Sequence, residues 1–467
     1  MKALINYNSY LDQTEYIDYL RQNAPNLSYN IITYGCQMNE HDSENLSGIL
    51  NDIGYKQTLG REDADIIIFN TCAVRENAEE RFFGNAGALK NLSKLKNKPI
   101  ICVCGCMMQE KSVVEKIISK LKHIDIIFGT HNIYKLPELL CRFISESRKT
   151  QVVDVQDIDG QVIEGLPQSR KYGFKAFVNI MYGCNNFCSY CIVPYTRGRE
   201  RSRLSKDIIA EIKKMAESGV KEVMLLGQNV NSYGNGFDSS YSFSDLLYDV
   251  SKIDGLERIR FMTSHPKDLS DDIIYAVRDI DKVCSSIHLP VQSGSNRILK
   301  AMNRKYTAEK YLSILEKIKT ELPNAGLTTD IIVGFPGETE EDFQDTIDLV
   351  KKAEYDSAFI FHYSPRIGTP ASKMAGLLDE ESKKSRFDRL LNTVNDIANL
   401  KNKKYLNTIQ KVLVEGLSKN NKNTYAGRNE QNKLINFEDS KNRTGEFINV
   451  KITKTNSFSL YGKALDI

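Results

Sequence analysis

Short runs rich in β-branched residues alternate with stretches of helical character over the first third of this chain. Strands and helices that alternate at intervals of about 30 residues form βαβ units on a parallel sheet. We therefore predict a parallel-sheet α/β domain over residues 29–150, preceded by a loosely attached extension at residues 1–28. The predicted strands of this domain are residues 31–34, 65–70, 99–105 and 124–129.

The same alternation resumes after a polar linker at residues 151–171. A six-fold series of this kind is an incomplete relative of the (βα)8 barrel, whose chemistry lies on the loops that follow its strands. The prediction for residues 171–400 is therefore a partial (βα)6 barrel. Its six predicted strands are residues 174–181, 222–226, 258–262, 283–289, 327–333 and 357–363.

The carboxyl-terminal residues 404–467 consist of short strand-like runs separated by Asn, Gly and Ser, which predicts a small antiparallel β-barrel. This segment has 11 basic and 6 acidic residues, a local charge of +5 in a chain of +3 overall. Cations interleaved with aromatic rings suit RNA, although such rings can equally form the barrel core. The rings are Tyr425, Phe437 and Phe458.

The overall composition restricts the environment of the protein. Its 63 basic and 60 acidic residues nearly balance, so any nucleic-acid contact must be a local patch. Ten cysteines occur without a charged-then-apolar leader, which argues against secretion and a disulfide framework. No apolar stretch reaches the roughly 18 residues that span a bilayer. We expect a cytoplasmic protein with reduced thiols and no membrane partner.

Three cysteines in the string GCNNFCSYC follow the first predicted strand of the partial barrel: Cys184, Cys188 and Cys191. A structural zinc site needs a fourth Cys or His, but the next cysteine is Cys284 and the nearest downstream histidine is His265. An iron–sulfur cluster held by three thiolates instead keeps one iron open for a small molecule. The alternatives are a structural zinc loop or three unrelated core thiols.

Three further cysteines come at the carboxyl ends of predicted strands: Cys36, Cys72 and Cys106. These strand ends lie along one edge of an open α/β sheet, so the thiols can converge and form a second metal site. The remaining cysteines are interpreted as packing residues, although alternation along the strand does not exclude Cys104 as a ligand. They are Cys102, Cys104, Cys141 and Cys284.

Four arginines at alternate positions follow the cysteine loop in the string PYTRGRERSR. Such a run is usually solvated surface. Beside a cluster, however, guanidinium groups at this spacing can clamp the phosphates of a nucleic acid. We therefore predict an RNA contact at Arg197, Arg199, Arg201 and Arg203.

The order of three strand-end cysteines, a CxxxCxxC barrel and a small basic β-barrel resembles the radical S-adenosylmethionine (SAM) methylthiotransferases. Six local strings resemble the branch that acts on N6-dimethylallyladenosine in tRNA. They are YGCQMNEHDSE, NTCAVRENAEERFF, VPYTRGRERSR, GQNVNSYG, TSHPKDLSDD and LPVQSGSNRIL. The alternative branches act on threonylcarbamoyl-adenosine in tRNA or on a ribosomal protein. A more remote alternative is a non-catalytic zinc protein that binds RNA.

The resemblance implies two [4Fe–4S] clusters, SAM as radical source and methyl donor, and transfer of a methylthio group to C-2 of the adenosine beside the anticodon. That C-2 hydrogen is neither acidic nor activated, which agrees with the lack of a convincing acid–base constellation among six histidines. The first domain would hold the auxiliary cluster, the partial barrel the radical cluster, and the carboxyl-terminal TRAM domain the RNA. Tyr190 would lie beside the SAM adenine, and the loop positions of Gln228 and Ser293 suggest the SAM pocket.

The implied partners are a tRNA anticodon stem-loop and a reducing electron donor such as flavodoxin or ferredoxin. A monomer is the expected state.

Overall fold

The computed structural model describes residues 6–74, 76–94, 98–146, 150–156, 161–238, 240–419 and 421–465. Parts of every predicted region lie outside the described residues: 1–5 of the extension, 75, 95–97 and 147–149 of the first domain, 157–160 of the linker, 239 of the partial barrel, and 420 and 466–467 of the last domain.

The first domain is a parallel sheet, as predicted, but it has six strands where four were predicted, in the order β3-β2-β4-β5-β6-β7. Its two central strands, β4 and β5, are buried along their whole length, because helices cover both faces of the sheet. Its elements in chain order are β1 (Asn6–Ser9), α1 (Thr14–Asn23), β2 (Ser28–Thr33), α2 (Gln37–Ile53), β3 (Lys56–Gln57), β4 (Ile66–Thr71), α3 (Glu76–Ala88), β5 (Ile100–Gly105), α4 (Lys111–Lys120), β6 (Ile126–Phe128), α5 (Leu136–Ser145), β7 (Val152–Asp154) and β8 (Gln161–Glu164).

The predicted extension and linker are integral parts of this domain, which corrects both expectations. On α1, Ile17 and Leu20 are three residues apart and pack into the core on one side of the sheet. Strand β1 pairs in parallel with β8, from the predicted linker. Strand β7 also comes from that linker and forms the edge of the main sheet, with Val152 buried.

The second domain contains all six predicted barrel strands. Two three-stranded parallel sheets, β13-β12-β9 and β14-β15-β16, are joined by a parallel bridge between Ile259 and Val283. Its elements are β9 (Lys175–Asn179), β10 (Met181–Tyr182), α6 (Val193–Thr196), β11 (Arg201–Ser202), α7 (Ser205–Glu217), β12 (Glu222–Leu226), α8 (Phe243–Ser251), β13 (Arg258–Phe261), α9 (Asp271–Asp279), β14 (Ser286–His288), α10 (Asn296–Ala301), α11 (Ala308–Glu321), β15 (Gly326–Val333), α12 (Glu340–Ala353), β16 (Ser357–His362) and α13 (Glu380–Lys403).

The third domain is a closed barrel in the order β17-β18-β19-β21-β20. The predicted barrel is confirmed, but β19 and β21 pair in parallel and the other pairs are antiparallel. Of the predicted RNA-stacking rings, Phe437 is buried and stacks on Tyr425, so it belongs to the core, whereas Phe458 is exposed. The strands are β17 (Ile409–Leu417), β18 (Tyr425–Arg428), β19 (Leu434–Glu438), β20 (Phe447–Thr455) and β21 (Ser459–Ala464).

The small barrel packs across the amino-terminal ends of the partial-barrel strands. Arg258 donates hydrogen bonds to the carbonyls of Arg428 and Lys411, at 3.0 and 2.9 Å. Arg260 donates to the carbonyls of Glu430 and Asn429, at 3.0 and 2.6 Å. The third domain therefore lies at the end of the partial barrel opposite the cysteine loop. Within the described residues, none of the helices combines the length and apolar character needed to cross a bilayer.

Candidate iron–sulfur sites and their surroundings

The three strand-end cysteines meet at one edge of the first-domain sheet. Cys36 follows β2 and begins α2, Cys72 follows β4, and Cys106 follows β5 at the start of a 3₁₀ turn. Strands β2, β4 and β5 are neighbours, so their carboxyl ends are adjacent. Cys72 interacts with both other thiols. The predicted convergence is therefore present, and we call these residues the auxiliary triad.

The thiols of the auxiliary triad differ in acidity. The contact with Cys72 raises the pKa of Cys36, and burial raises it further. The same neighbour lowers the pKa of Cys106, and the nearby charge of Arg197 lowers it too. The backbone N–H of Ala73 donates a hydrogen bond to Cys106 Sγ at 3.1 Å. Cys106 is therefore the thiol of this site whose thiolate is best stabilised.

Two glycines permit this close approach. Gly35 has φ +125°, and an added Cβ there would lie 2.5 Å from Cys72 Cβ. Gly105 has φ +100°, and its added Cβ would lie 2.3 Å from the carbonyl oxygen of Thr71. Each glycine immediately precedes a cysteine of the triad, so the Gly-Cys pairs were a usable sequence signal.

Arg197 lies between the two domains. Its Nη2 donates to Asp42 Oδ2 at 2.9 Å, and both side chains are buried. Although burial alone lowers the pKa of Arg197, the ion pair with Asp42 raises it above the ordinary value, and the charges of Cys106 and Cys36 add to this. Arg197 therefore provides a fixed positive charge beside the auxiliary triad.

Burial also corrects the prediction that the four arginines of PYTRGRERSR, which we call the arginine strip, clamp RNA. Arg203 is buried between Glu164 and Glu211, at 2.5 and 2.6 Å. Arg201 is also buried, and it donates to the carbonyl of Arg197 at 2.8 Å. Only Arg199 of the four is exposed, and it lies over a phenyl ring at 4.6 Å. Three of the four arginines therefore lie inside the protein, and the ion pairs of Arg197 and Arg203 are with buried or half-buried carboxylates.

The second group of thiols lies on a single loop after β9, and we call Cys184, Cys188 and Cys191 the radical triad. The loop turns through Phe187, whose φ is +46° and whose carbonyl accepts a hydrogen bond from Asn303 Nδ2 at 2.8 Å. Burial raises the pKa of Cys184 to about 11 and that of Cys191 to about 12. These thiols hold their protons at neutral pH unless a metal displaces them.

A buried arginine also contacts the radical triad. Arg304 Nη1 donates to Cys188 Sγ at 3.4 Å. Its Nη2 donates to the carbonyl of Pro290 at 2.6 Å, and its Nε donates to Tyr306 Oη at 2.7 Å. None of its hydrogen bonds within the described residues is to a carboxylate: it reaches a thiol, a hydroxyl and a carbonyl. Asn303 and Arg304 could not be anticipated from the sequence, because nothing in their local pattern distinguishes them from an ordinary turn.

The segment that follows the radical triad contacts the first domain beside the auxiliary triad. Ile192, directly after Cys191, packs into the same core as Cys72 and Cys106. From the other side, Arg366 donates to the carbonyl of Val74 at 3.0 Å. Residues after the cysteine loop therefore pack into the core that contains Cys72 and Cys106.

Each donor set consists of three thiols with a buried guanidinium beside them, which is the chemistry of an iron–sulfur cluster site. Among the described residues, no three Cys, His, Asp or Glu side chains converge closely enough to hold a single metal ion. A [4Fe–4S] cluster binds each thiolate to a different iron, and three thiolates leave one iron open. The buried positive charges of Arg197 and Arg304 match the net negative charge of such a cluster.

The other four cysteines lie away from these sites. Cys102 and Cys104 are fully buried within β5, and burial raises both thiol pKa values well above the ordinary range. Cys284 is buried, and Cys141 lies half-buried on α5. Packing is the role that this placement supports.

The three residues predicted for the SAM pocket lie in different surroundings. Tyr190 is half-buried and packs against an apolar cluster that includes Phe335 and Tyr363. Gln228 instead faces the first domain, where its Nε2 donates to Met38. The hydroxyl of Ser293 is fully buried and accepts from the backbone N–H of Ser295, which does not favour a ligand contact.

The inner face of the partial barrel has further side chains that the sequence analysis missed. His288, Asp330 and Phe359 lie on this face: the His288 ring is 6.0 Å from that of Phe359, and Asp330 pairs with Phe359 across the strands. Phe359 and Phe361 remain half-exposed, at 49% and 45%, although Ala358 and Ile360, which alternate with them, pack against the core outside the strands. The period-two alternation of β16 was the available signal.

Comparisons with known proteins agree with this architecture. Residues 178–350 match the Radical SAM superfamily, residues 28–129 match Uncharacterized protein family UPF0004, and residues 403–465 match the TRAM domain. A similar solved fold is the radical S-adenosylmethionine methyltransferase TsrM from Kitasatospora setae with cobalamin and a [4Fe-4S] cluster bound. The TM-score is 0.55 at 14% identity, over 74% of each chain. This likeness supports the fold, which is that of a radical SAM enzyme.

Two curated relatives are far more similar. A tRNA-2-methylthio-N(6)-dimethylallyladenosine synthase of Alkaliphilus oremlandii (strain OhILAs) is 56% identical over 99% of this chain and 98% of its own length. A protein of the same name from Clostridioides difficile (strain 630) is 57% identical over 92% of this chain and 90% of its own. The chain therefore belongs to the tRNA-2-methylthio-N(6)-dimethylallyladenosine synthase family.

Proposed function

We propose that this enzyme transfers a methylthio group to C-2 of N6-dimethylallyladenosine beside the anticodon of tRNA. The observation that carries this proposal is the pair of cysteine triads, one on each of two domains, with Ile192 directly after the radical triad packed into the core that contains Cys72 and Cys106. The C-2 hydrogen is not acidic, so an acid–base group could not remove it, whereas a radical can. The bound clusters and SAM supply that radical chemistry, and the protein positions and shields them.

The residues of the two sites have different roles in this proposal. Cys184, Cys188 and Cys191 would hold the radical cluster and leave one iron open for SAM. The auxiliary triad would hold the second cluster, where the sulfur to be methylated is placed. Tyr190 would lie beside the adenine of SAM. The buried loop contacts of Asn303 and Arg304 would keep the radical triad fixed relative to the inner face of the barrel.

The inner face supports the choice of substrate branch. The half-exposed rings of Phe359 and Phe361 present an apolar surface that suits a five-carbon dimethylallyl group. Asp330 on the same face would repel the carboxylate of a threonylcarbamoyl group. Both features favour N6-dimethylallyladenosine over threonylcarbamoyl-adenosine.

The partners follow from the same chemistry. The RNA partner is a tRNA anticodon stem-loop. Because three arginines of the arginine strip are buried, the basic third domain is the main remaining candidate for an RNA contact. A one-electron donor such as flavodoxin or ferredoxin is needed to reduce the radical cluster. We propose that the protein works as a monomer in the cytoplasm.

The function is tested with anaerobically reconstituted protein, SAM, a chemical reductant and tRNA that carries N6-dimethylallyladenosine. Mass spectrometry of the digested tRNA should find the 2-methylthio nucleoside, and the C184A/C188A/C191A variant should give none. Methylthiolation of threonylcarbamoyl-adenosine tRNA instead would assign the enzyme to the other branch.

A further inference from the structure

A groove of about 510 Å³ opens on the outer surface of the partial barrel, between α9 and α11. Four lysines line it, together with a single carboxylate, Asp271, and the ring of Tyr306. The lysines are Lys267, Lys305, Lys310 and Lys317.

The groove is positively charged because only two of its lysines are neutralised. Lys317 pairs with Asp271 at 2.5 Å, and Lys267 pairs with Asp268 at 2.8 Å. Lys305 and Lys310 are exposed, and neither forms an ion pair with any residue that the structure describes. Two adjacent unpaired ammonium groups attract an anionic partner and repel a cationic one.

One wall of the groove leads directly to the radical triad. Tyr306 accepts a hydrogen bond from Arg304 Nε at 2.7 Å, and Arg304 Nη1 donates to Cys188 Sγ at 3.4 Å. A single buried side chain therefore separates the groove wall from a predicted ligand of the radical cluster. A partner seated in the groove would be close to that cluster without entering the barrel.

We infer that this groove is the docking surface of the electron donor, a small acidic one-electron redox protein. This inference rests on the proposed function, which requires such a donor. At the groove, the reduced donor loses one electron and the bound radical cluster gains it. No proton or covalent bond is exchanged in that step.

The position of the groove favours a redox protein over RNA. Its lining comes from α9, α11 and the loops before them, all outside the strand layer. The substrate base must instead reach the inner face, where Asp330 and Phe359 lie. A donor on the outside leaves that inner face free for tRNA.

The test is the charge-reversal variant K305E/K310E, with K213E/K214E on α7 as the matched control, since those lysines are also exposed and unpaired within the described residues. The holoenzyme is assayed for 5′-deoxyadenosine formation with dithionite and, separately, with reduced flavodoxin at increasing concentration. With dithionite, all proteins should react at the same rate. With flavodoxin, K305E/K310E should raise the KM for the donor by about tenfold or more, and added salt should raise the wild-type KM.

Three results would overturn the inference. An unchanged flavodoxin KM in K305E/K310E would mean that the donor docks elsewhere. An unchanged donor KM with weaker tRNA binding would make the groove an RNA contact. If the wild-type protein forms no 5′-deoxyadenosine with dithionite, the proposed function fails and the inference fails with it. A normal dithionite rate therefore separates the two failures.

Discussion

The two triads reach similar chemistry by different routes. The auxiliary triad gathers cysteines from three strand ends, so its geometry depends on the packing of a whole parallel sheet. The radical triad lies on one loop, and residues far along the chain, Asn303 and Arg304, fix its shape. The first site should therefore respond to changes in the sheet, whereas the second should respond to changes in its contacts.

The buried arginines beside the two triads differ in their partners. Arg197 at the auxiliary triad has a carboxylate partner, Asp42, from the other domain. Arg304 at the radical triad donates only to a thiol, a hydroxyl and a carbonyl among the described residues. Losing Arg197 thus leaves a buried anion, but losing Arg304 leaves only neutral acceptors.

The largest expected effect is that of R197Q. It leaves Asp42 buried without its cation, which should cost about 3–5 kcal/mol of stability. The exposed R199Q variant should cost about 0.5 kcal/mol, the value of its ring contact. Urea unfolding of the holoenzyme measures both. If R197Q were as stable as R199Q, the interdomain ion pair would not hold the auxiliary site.

The next effect concerns the sheet edge itself. G105A introduces a Cβ 2.3 Å from the Thr71 oxygen at positive φ, so it should destabilise the domain by about 3 kcal/mol and displace Cys106. Its control is G54A, which also has positive φ but no atom within 4 Å, and which should cost about 1 kcal/mol. Iron analysis should find the auxiliary cluster depleted in G105A alone. Equal iron content in both variants would contradict the proposed packing.

A smaller effect is expected at the other triad. R304Q removes donors from Cys188, Pro290 and Tyr306, at a cost of about 2 kcal/mol. When the auxiliary triad is also replaced by alanine, the protein with R304Q should retain less iron after gel filtration than the protein that keeps Arg304. R304K, which keeps the charge, should fall between them. Full iron retention in R304Q would mean that the radical triad holds its cluster without the contacts of Arg304.

The smallest effect is a pH dependence beside Arg304. Burial, and then the charge of Arg304, lower the pKa of His265 to about 2. The folded state therefore binds this proton less well than the unfolded chain, so stability is lost as pH falls below the unfolded pKa near 6.5. At pH 5.5 the loss should be about 1.4 kcal/mol. The free energy of unfolding, measured at pH 5.5 and at a pH above 6.5, should fall less in H265Q than in the wild-type protein. An equal fall in the two proteins would exclude this assignment.

The sequence predicted those features that follow from chain order alone. Strand ends on a parallel sheet share one edge, so the convergence of Cys36, Cys72 and Cys106 could be anticipated without any side-chain information. The three cysteines of the CxxxCxxC loop are close in the sequence, so their grouping could also be predicted. The strand positions of the partial barrel followed from alternation.

The sequence could not identify partners from distant segments. The arginine strip was predicted to face RNA because alternation defines a face but not what covers it. Its carboxylates come from separate elements: Asp42 on α2, Glu164 on β8 and Glu211 on α7. Likewise, β1 pairs with β8, which lies at the other end of the first domain in sequence, and no local pattern predicts that contact.

The central claim is that the two triads have separate roles, and one experiment tests it most directly. Liquid chromatography of the quenched reaction quantifies 5′-deoxyadenosine and the methylthiolated nucleoside together. The C36A/C72A/C106A variant should still form 5′-deoxyadenosine but no methylthiolated product, whereas C184A/C188A/C191A should form neither. Methylthiolated product from C36A/C72A/C106A would contradict the account, because the sulfur would then come from outside the first domain.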